Sequence, residues 1–125
     1  MADEAAALRS KILAANDQPL EQVELPEWGI TAFVRTMRAG ERDAWEQEMI
    51  GKGEGERREN LRASLVARCL VDSSGQRVFA DADVVALSAK AAGPVDRAFA
   101  VATRLNGLSQ NDVEELEKNL PDAPD

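Results

Sequence analysis

The spacing of apolar residues changes along the chain, and each change marks a different element. Ala5, Leu8, Ile12 and Ala15 recur at steps of three and four, which predicts a helix over residues 3–15. Asp3 and Glu4 at its start favour the positive end of the helix dipole, and Asn16-Asp17-Gln18-Pro19 ends it. From residue 22 the period falls to two. Val23 and Leu25 alternate with Gln22 and Glu24, then Ile30, Ala32 and Val34 alternate with Thr31, Phe33 and Arg35. With Pro26-Glu27-Trp28-Gly29 as a turn between them, these segments predict a β-hairpin. A two-stranded ribbon is marginal in water and needs helices packed on one face.

The helical period then returns. Residues 40–50 carry Trp45 and Met49 four apart, and residues 56–70 present Leu61, Leu65, Val66, Cys69 and Leu70 as a broad apolar face. Between them Gly51-Lys52-Gly53-Glu54-Gly55 reads as a mobile loop, because each glycine costs a helix interior ~1 kcal/mol. Asp72-Ser73-Ser74-Gly75-Gln76 is a turn, with Val78 and Phe79 as a short strand after it. Asp81 is placed to N-cap a helix over 82–91 that Gly93-Pro94 would stop. The helix over 95–105 has the clearest pattern: Val95, Ala98, Phe99, Ala102 and Leu105 share a face, and Gly107 suits the left-handed position after it. Ser109 with Asp112 opens a last helix whose apolar stripe is Val113, Leu116 and Leu120, and Pro121 closes it. The expected fold is α+β and mostly helical, a small N-terminal hairpin against about four to five helices. One domain spans 1–120, and 121–125 form a flexible acidic tail.

Composition narrows the function. A chain of 125 residues is one domain's worth, and Phe33, Phe79, Phe99, Trp28 and Trp45 are its whole aromatic complement, so Ala, Leu and Val must fill the core. The net charge of -8 argues against nucleic acid, whose phosphates demand a basic face. No apolar run approaches the ~20 residues of a membrane span, and Met1-Ala2-Asp3-Glu4 is acidic where a signal peptide is basic. Without histidine the chain lacks the commonest general base and transition-metal ligand, so the expectation is no enzyme, no metal and no cofactor.

Among candidate sites, Gly51–Gly55 fails the P-loop pattern because Gly53, not Ser or Thr, follows Lys52. The eight bases among residues 35–68 are interleaved with seven acids, so a solvated face of i,i+4 ion pairs is favoured over an anion site. Cys69 lies on an apolar helix face with no histidine to activate it, and reads as an inert core thiol. Residues 109–125 hold six acids and one base, a net -5, with the acids flanking an apolar stripe on one helix. That pattern suits partner binding better than acid–base chemistry. The partner-binding candidates are therefore Val113, Glu114, Leu116, Glu117 and Leu120, together with Trp28, either a lid on the hairpin or an exposed anchor.

Several segments, kept in order, resemble the tail assembly chaperones of long-tailed, siphovirus-type bacteriophages. They are Leu8-Arg9-Ser10-Lys11-Ile12-Leu13-Ala14-Ala15, Val23-Glu24-Leu25-Pro26-Glu27-Trp28-Gly29, Arg35-Thr36-Met37, and the helix start Gly40-Glu41-Arg42-Asp43. Val66-Ala67-Arg68-Cys69-Leu70-Val71-Asp72, Gly75-Gln76-Arg77-Val78-Phe79, Leu105-Asn106-Gly107-Leu108-Ser109 and Glu114-Glu115-Leu116-Glu117-Lys118-Asn119 complete the set. The Gly51–Gly55 segment does not match the pattern. The resemblance implies a small non-catalytic α+β protein that binds the tape measure protein in the host cytoplasm, keeps it soluble and helps recruit tail tube protein. It also implies a frameshift-extended form of the chain and absence from the mature virion. The alternative is a small structural phage protein, a head–tail joining or tail component, incorporated into the virion.

Overall fold

A computed structural model describes residues 2–51, 54–108 and 110–118. Helix α1 (Ala2–Ala14) leads through a linker into strands β1 (Glu21–Leu25) and β2 (Ile30–Val34). Helices α2 (Ala39–Ile50) and α3 (Glu54–Cys69) follow, and α3 runs directly into the short strand β3 (Leu70–Val71). Helices α4 (Val84–Ser88), α5 (Ala92–Leu105) and α6 (Gln110–Lys118) complete the order. The fold is α+β and mostly helical, as expected.

The sheet is antiparallel, in the order β1-β2-β3. Val23 faces Ala32, and Val34 faces Leu70 on its other side. Val23, Leu25, Ala32 and Val34 are buried, and α5 packs across β1 and β2 to supply the apolar cover a small sheet needs. The third strand is not where the sequence predicts it. Leu70 and Val71 pair with β2, while the 78–79 segment contributes only a Val78 N–H bond to the Leu70 carbonyl and an Arg77–Val71 bridge beside it. The reason is local: the Asp72 carboxylate accepts from the Ser74 N–H, the Ser74 hydroxyl and the Gln76 N–H, turning the chain sharply after Val71.

Helix α3 is the hub, packing against α2, α4, α5 and α6. Leu61, Leu65, Val66, Ala67 and Cys69 are each at most 1% exposed, and from Ala63 onward every residue of the helix is buried. Trp45 of α2 lies in this core and donates its Nε1–H to the Ser64 hydroxyl at 2.7 Å, which satisfies both buried polar groups.

Four further sequence expectations are corrected. Glu54 and Gly55 already belong to α3 and Gly51 caps α2, so residues 51–55 are not one loop; residues 52 and 53 lie outside the described set. Asp81 does not cap a long helix. The Ala80 N–H is taken by Asp83 at 2.8 Å, and α4 ends at Ser88. Gly93 and Pro94 do not stop a helix but occupy the first turn of α5 after its N-cap Ala91, where no intrahelical partner for the missing proline N–H is needed.

The fourth correction concerns the basic residues of 35–68. Arg35 and Arg68 are 7% and 8% exposed, not solvated. Arg35 grips both oxygens of Glu41 at 2.8 and 2.9 Å and also donates to the Arg68 carbonyl at 2.9 Å. Arg68 reaches Glu48 at 2.8 Å. The Arg42–Glu46 pair does follow the i,i+4 pattern. Burial of these cations is tolerable only because each is paired. The predicted capping residue Ser109 and the 121–125 tail lie outside the described residues.

Candidate functional site

The turn between β1 and β2 is built to hold one aromatic ring at a fixed place. Pro26 opens a 3-10 turn with its preset φ, and Gly29 closes it at φ 68, a left-handed conformation that favours glycine. Glu27, between Pro26 and Trp28, forms a two-pronged pair with Arg97 of α5 at 2.8 and 2.6 Å. The Arg97 guanidinium, helped by the residue's own backbone N–H, holds the Glu27 carboxyl at about 2. A second pair, Glu21 with Arg104, fastens the other end of β1 to α5. The turn is thus anchored from both strand ends to one helix.

Trp28, so held, is half-buried and packs against the core. Beside it opens a groove of about 580 Å³, lined by Trp28, Val78, Phe79, Ala86 and Leu87, with Asp83 and Lys90 also on its wall. Leu87 is the buried floor and Val78, 48% exposed, stands on the rim. Trp28 therefore packs on the core with one part of its ring and walls an accessible apolar surface with another.

The other candidates lie elsewhere. Val113 and Leu116 of α6 are half-buried against the core cluster, and α6 packs on α3 and α2. Glu115 is exposed and Glu114 half-buried on the same helix. The side chain of Glu117 and the whole of Leu120 lie outside the described residues. The structure does not bring Trp28 and α6 into one site. Sequence reasoning missed Val78, Phe79 and Ala86 as a surface, because the first two read as a strand and the third as one position of a long helix.

A second uncovered apolar surface is α1. From Asp3 to Ala14 every residue is exposed, with Leu8 54% and Ile12 and Leu13 each 67% accessible. The helical spacing of its apolar positions is as expected, and the other helices fill the core without it.

Burial pushes the Cys69 thiol up to about 11, against a weaker opposing effect of the Asn106 amide at 3.6 Å. A polar recess of about 300 Å³ holds Arg35, Arg38 and Arg77, but Glu41 pairs with Arg35 and Asp81 with Arg77, so it is not an open anion cradle. No group of three or more acidic, Cys or His side chains among the described residues is arranged for a metal ion. No helix among them is long and apolar enough to cross a membrane.

Fold and surface together describe a small, mostly helical α+β protein with apolar faces left open. The model of the phage tail assembly chaperone family matches residues 7–119, and the chain belongs to that family. A solved structure titled "Structure of bacteriophage HK97 tail assembly chaperone" is similar in fold, with a TM-score of 0.59 and 19% sequence identity, covering 78% of this chain and 96% of that one. No curated protein matches this chain.

Proposed function

We propose that this tail assembly chaperone is non-catalytic and binds the tape measure protein, keeping that chain soluble in the host cytoplasm and helping tail tube protein assemble around it. The observation that carries the reading is the family match across residues 7–119. The open groove beside Trp28 supports it, because an uncovered apolar surface on an acidic protein suits a client's apolar helix while net charge opposes aggregation. Trp28 is the proposed anchor in that groove. Val113, Glu114, Leu116, Glu117 and Leu120 form the second proposed contact, in which the acids take basic positions of the client. A frameshift-extended form of the chain would share both contacts, and neither form would remain in the mature virion.

The test is co-expression with the tape measure protein. The client should be soluble with the wild-type chain and aggregate without it. Trp28→Ala should weaken the complex by tenfold or more, in the range of an interface hot spot of about 2 kcal/mol. Glu114→Lys/Glu117→Lys should weaken it further in a salt-dependent way. Equal client solubility with and without the chaperone sinks the proposal, and stoichiometric chaperone in purified virions would favour a structural role instead.

A further inference from the structure

We propose that the outer edge of β1 receives an extended segment of a partner protein as a fourth strand, one that carries a Lys or Arg, then an apolar residue, then a polar one. The contact is separate from the groove beside Trp28. It rests on the tail-assembly reading only for where the partner is sought.

The ladder geometry decides which backbone groups are free. Arg35 donates its N–H to the Cys69 carbonyl at 3.0 Å, so Arg35 and, two residues before it, Phe33 turn their backbone groups toward β3. Ile30, Ala32 and Val34 therefore turn theirs toward β1, where they meet Leu25, Val23 and Glu21. That leaves the N–H and C=O groups of Gln22 and Glu24 pointing outward, because β1 ends the sheet. Among the described residues they receive one long bond, 3.4 Å from Arg97 to the Glu24 carbonyl. Such an edge is a template for another strand. It lacks the devices that block one, since β1 has no proline, no lysine and an unbroken register with β2.

The side chains beside the edge specify what can lie there. Gln22 and Glu24 are exposed on the outer face, while Val23 is buried on the face that α5 covers. On α5, Arg97 and Arg104 reach Glu27 and Glu21 at either end of this stretch. Val101, four residues after the first arginine and three before the second, is half-buried on the same stripe. An antiparallel segment would thus set one apolar side chain opposite Val23 and near Val101, between two arginines already neutralised. Glu21 and Glu27 each hold an arginine, whereas the Glu24 carboxylate has no partner among the described residues. The residue opposite Glu24 should therefore be a base, and the one opposite Gln22 a neutral polar residue. A second copy is a poor occupant, because its own β1 brings acids and no base. Main-chain bonds would supply the affinity and these alternating side chains the selectivity.

Overlapping synthetic peptides covering the tape measure and tail tube proteins, titrated against the intact chaperone, test the assignment. Peptides with the basic–apolar–polar run should bind. In the bound state the Gln22 and Glu24 amides should exchange with deuterium about tenfold more slowly, or better, than in the free chaperone, as read by NMR. Gln22→Pro deletes an outward N–H that the β1–β2 ladder does not use, so the fold should survive, as circular dichroism can verify, while affinity falls about tenfold or more. Glu24→Lys should weaken the same peptides several-fold, and replacing the peptide's base with Glu should restore binding to that variant. If the proline variant unfolds, Glu24→Lys and its peptide swap carry the test alone. No binding peptide, binding that ignores the substitutions, or amides already protected in the free chaperone by its own tail or a second copy would each overturn the proposal. Binding lost on Trp28→Ala but indifferent to Gln22→Pro would overturn it and leave the client reading standing.

Discussion

Replacing Glu41 with Gln tests whether the buried arginine clasp is held by charge. The substitution keeps shape and one acceptor but removes the carboxylate that both Arg35 nitrogens grip at 2.8 and 2.9 Å. Arg35 stays buried with the one remaining side-chain oxygen at position 41 and the Thr36 and Arg68 carbonyls, the last two at 3.2 and 2.9 Å. The pair with Arg35, and next the Arg38 backbone N–H, holds the Glu41 carboxyl at about 2 against an ordinary 4.5. That difference sets a ceiling of about 3 kcal/mol for the charge contribution. A buried guanidinium losing its partner gives a similar figure, reduced here because Glu41 is a quarter exposed and two carbonyls remain. We expect a loss of about 2–3 kcal/mol at pH 7, or roughly 10 °C in Tm, by urea and thermal unfolding. Because the folded-state pKa is depressed, the contribution is fully present above pH 4.5 and disappears as pH falls toward 2. The gap between wild type and variant should therefore shrink by about 2 kcal/mol between pH 7 and pH 3. A loss under about 0.5 kcal/mol, or a gap independent of pH, would refute the reasoning.

Two further outcomes concern one exposed turn and one buried thiol. Gly107→Ala should cost about 1 kcal/mol, because φ is 68 there while a new Cβ would meet nothing within 4 Å; Gly107→Asn should recover part of the loss in the same unfolding assay. Native Cys69 should resist a thiol-reactive chromogenic disulfide at pH 8, since a thiol at about 11 is almost wholly protonated, and should react once the protein is unfolded; rapid stoichiometric labelling of the folded protein would contradict its burial.

Elements whose signal is local were legible in the sequence. The alternation at Val23 and Leu25 and the stripe from Val95 to Leu105 report which side faces the core, and both became the elements expected. Gly107 took the left-handed position because the helix end alone demands it. What was not legible depends on distant partners. Leu70 and Val71 continue an apolar helix pattern, and only their pairing with β2 makes them a strand. Arg35 and Arg68 look like surface cations until Glu41 and Glu48, brought from another helix, neutralise them. The spacing in α1 announces a helix but not what covers it, and only the tertiary packing shows Leu8, Ile12 and Leu13 exposed. The groove beside Trp28 is assembled from three separated segments, so periodicity within any one of them could not announce it.

Asn106 closes α5 with a set of bonds whose effect reaches beyond stability. Its side chain accepts the Met37 N–H at 2.8 Å and donates to the Ala102 carbonyl, while its own carbonyl accepts from Arg42 at 2.9 Å. The next residue is Gly107, whose left-handed φ of 68 redirects the chain, and the Gly107 and Leu108 N–H groups bond back to the Arg104 and Thr103 carbonyls. The turn is thus held on both sides, since Asn106 ties it to the start of α2 and α6 packs on α3 and α2 beyond it. It works as a buttress, fixing the angle at which α6 leaves α5 and so the direction in which the acidic helix faces.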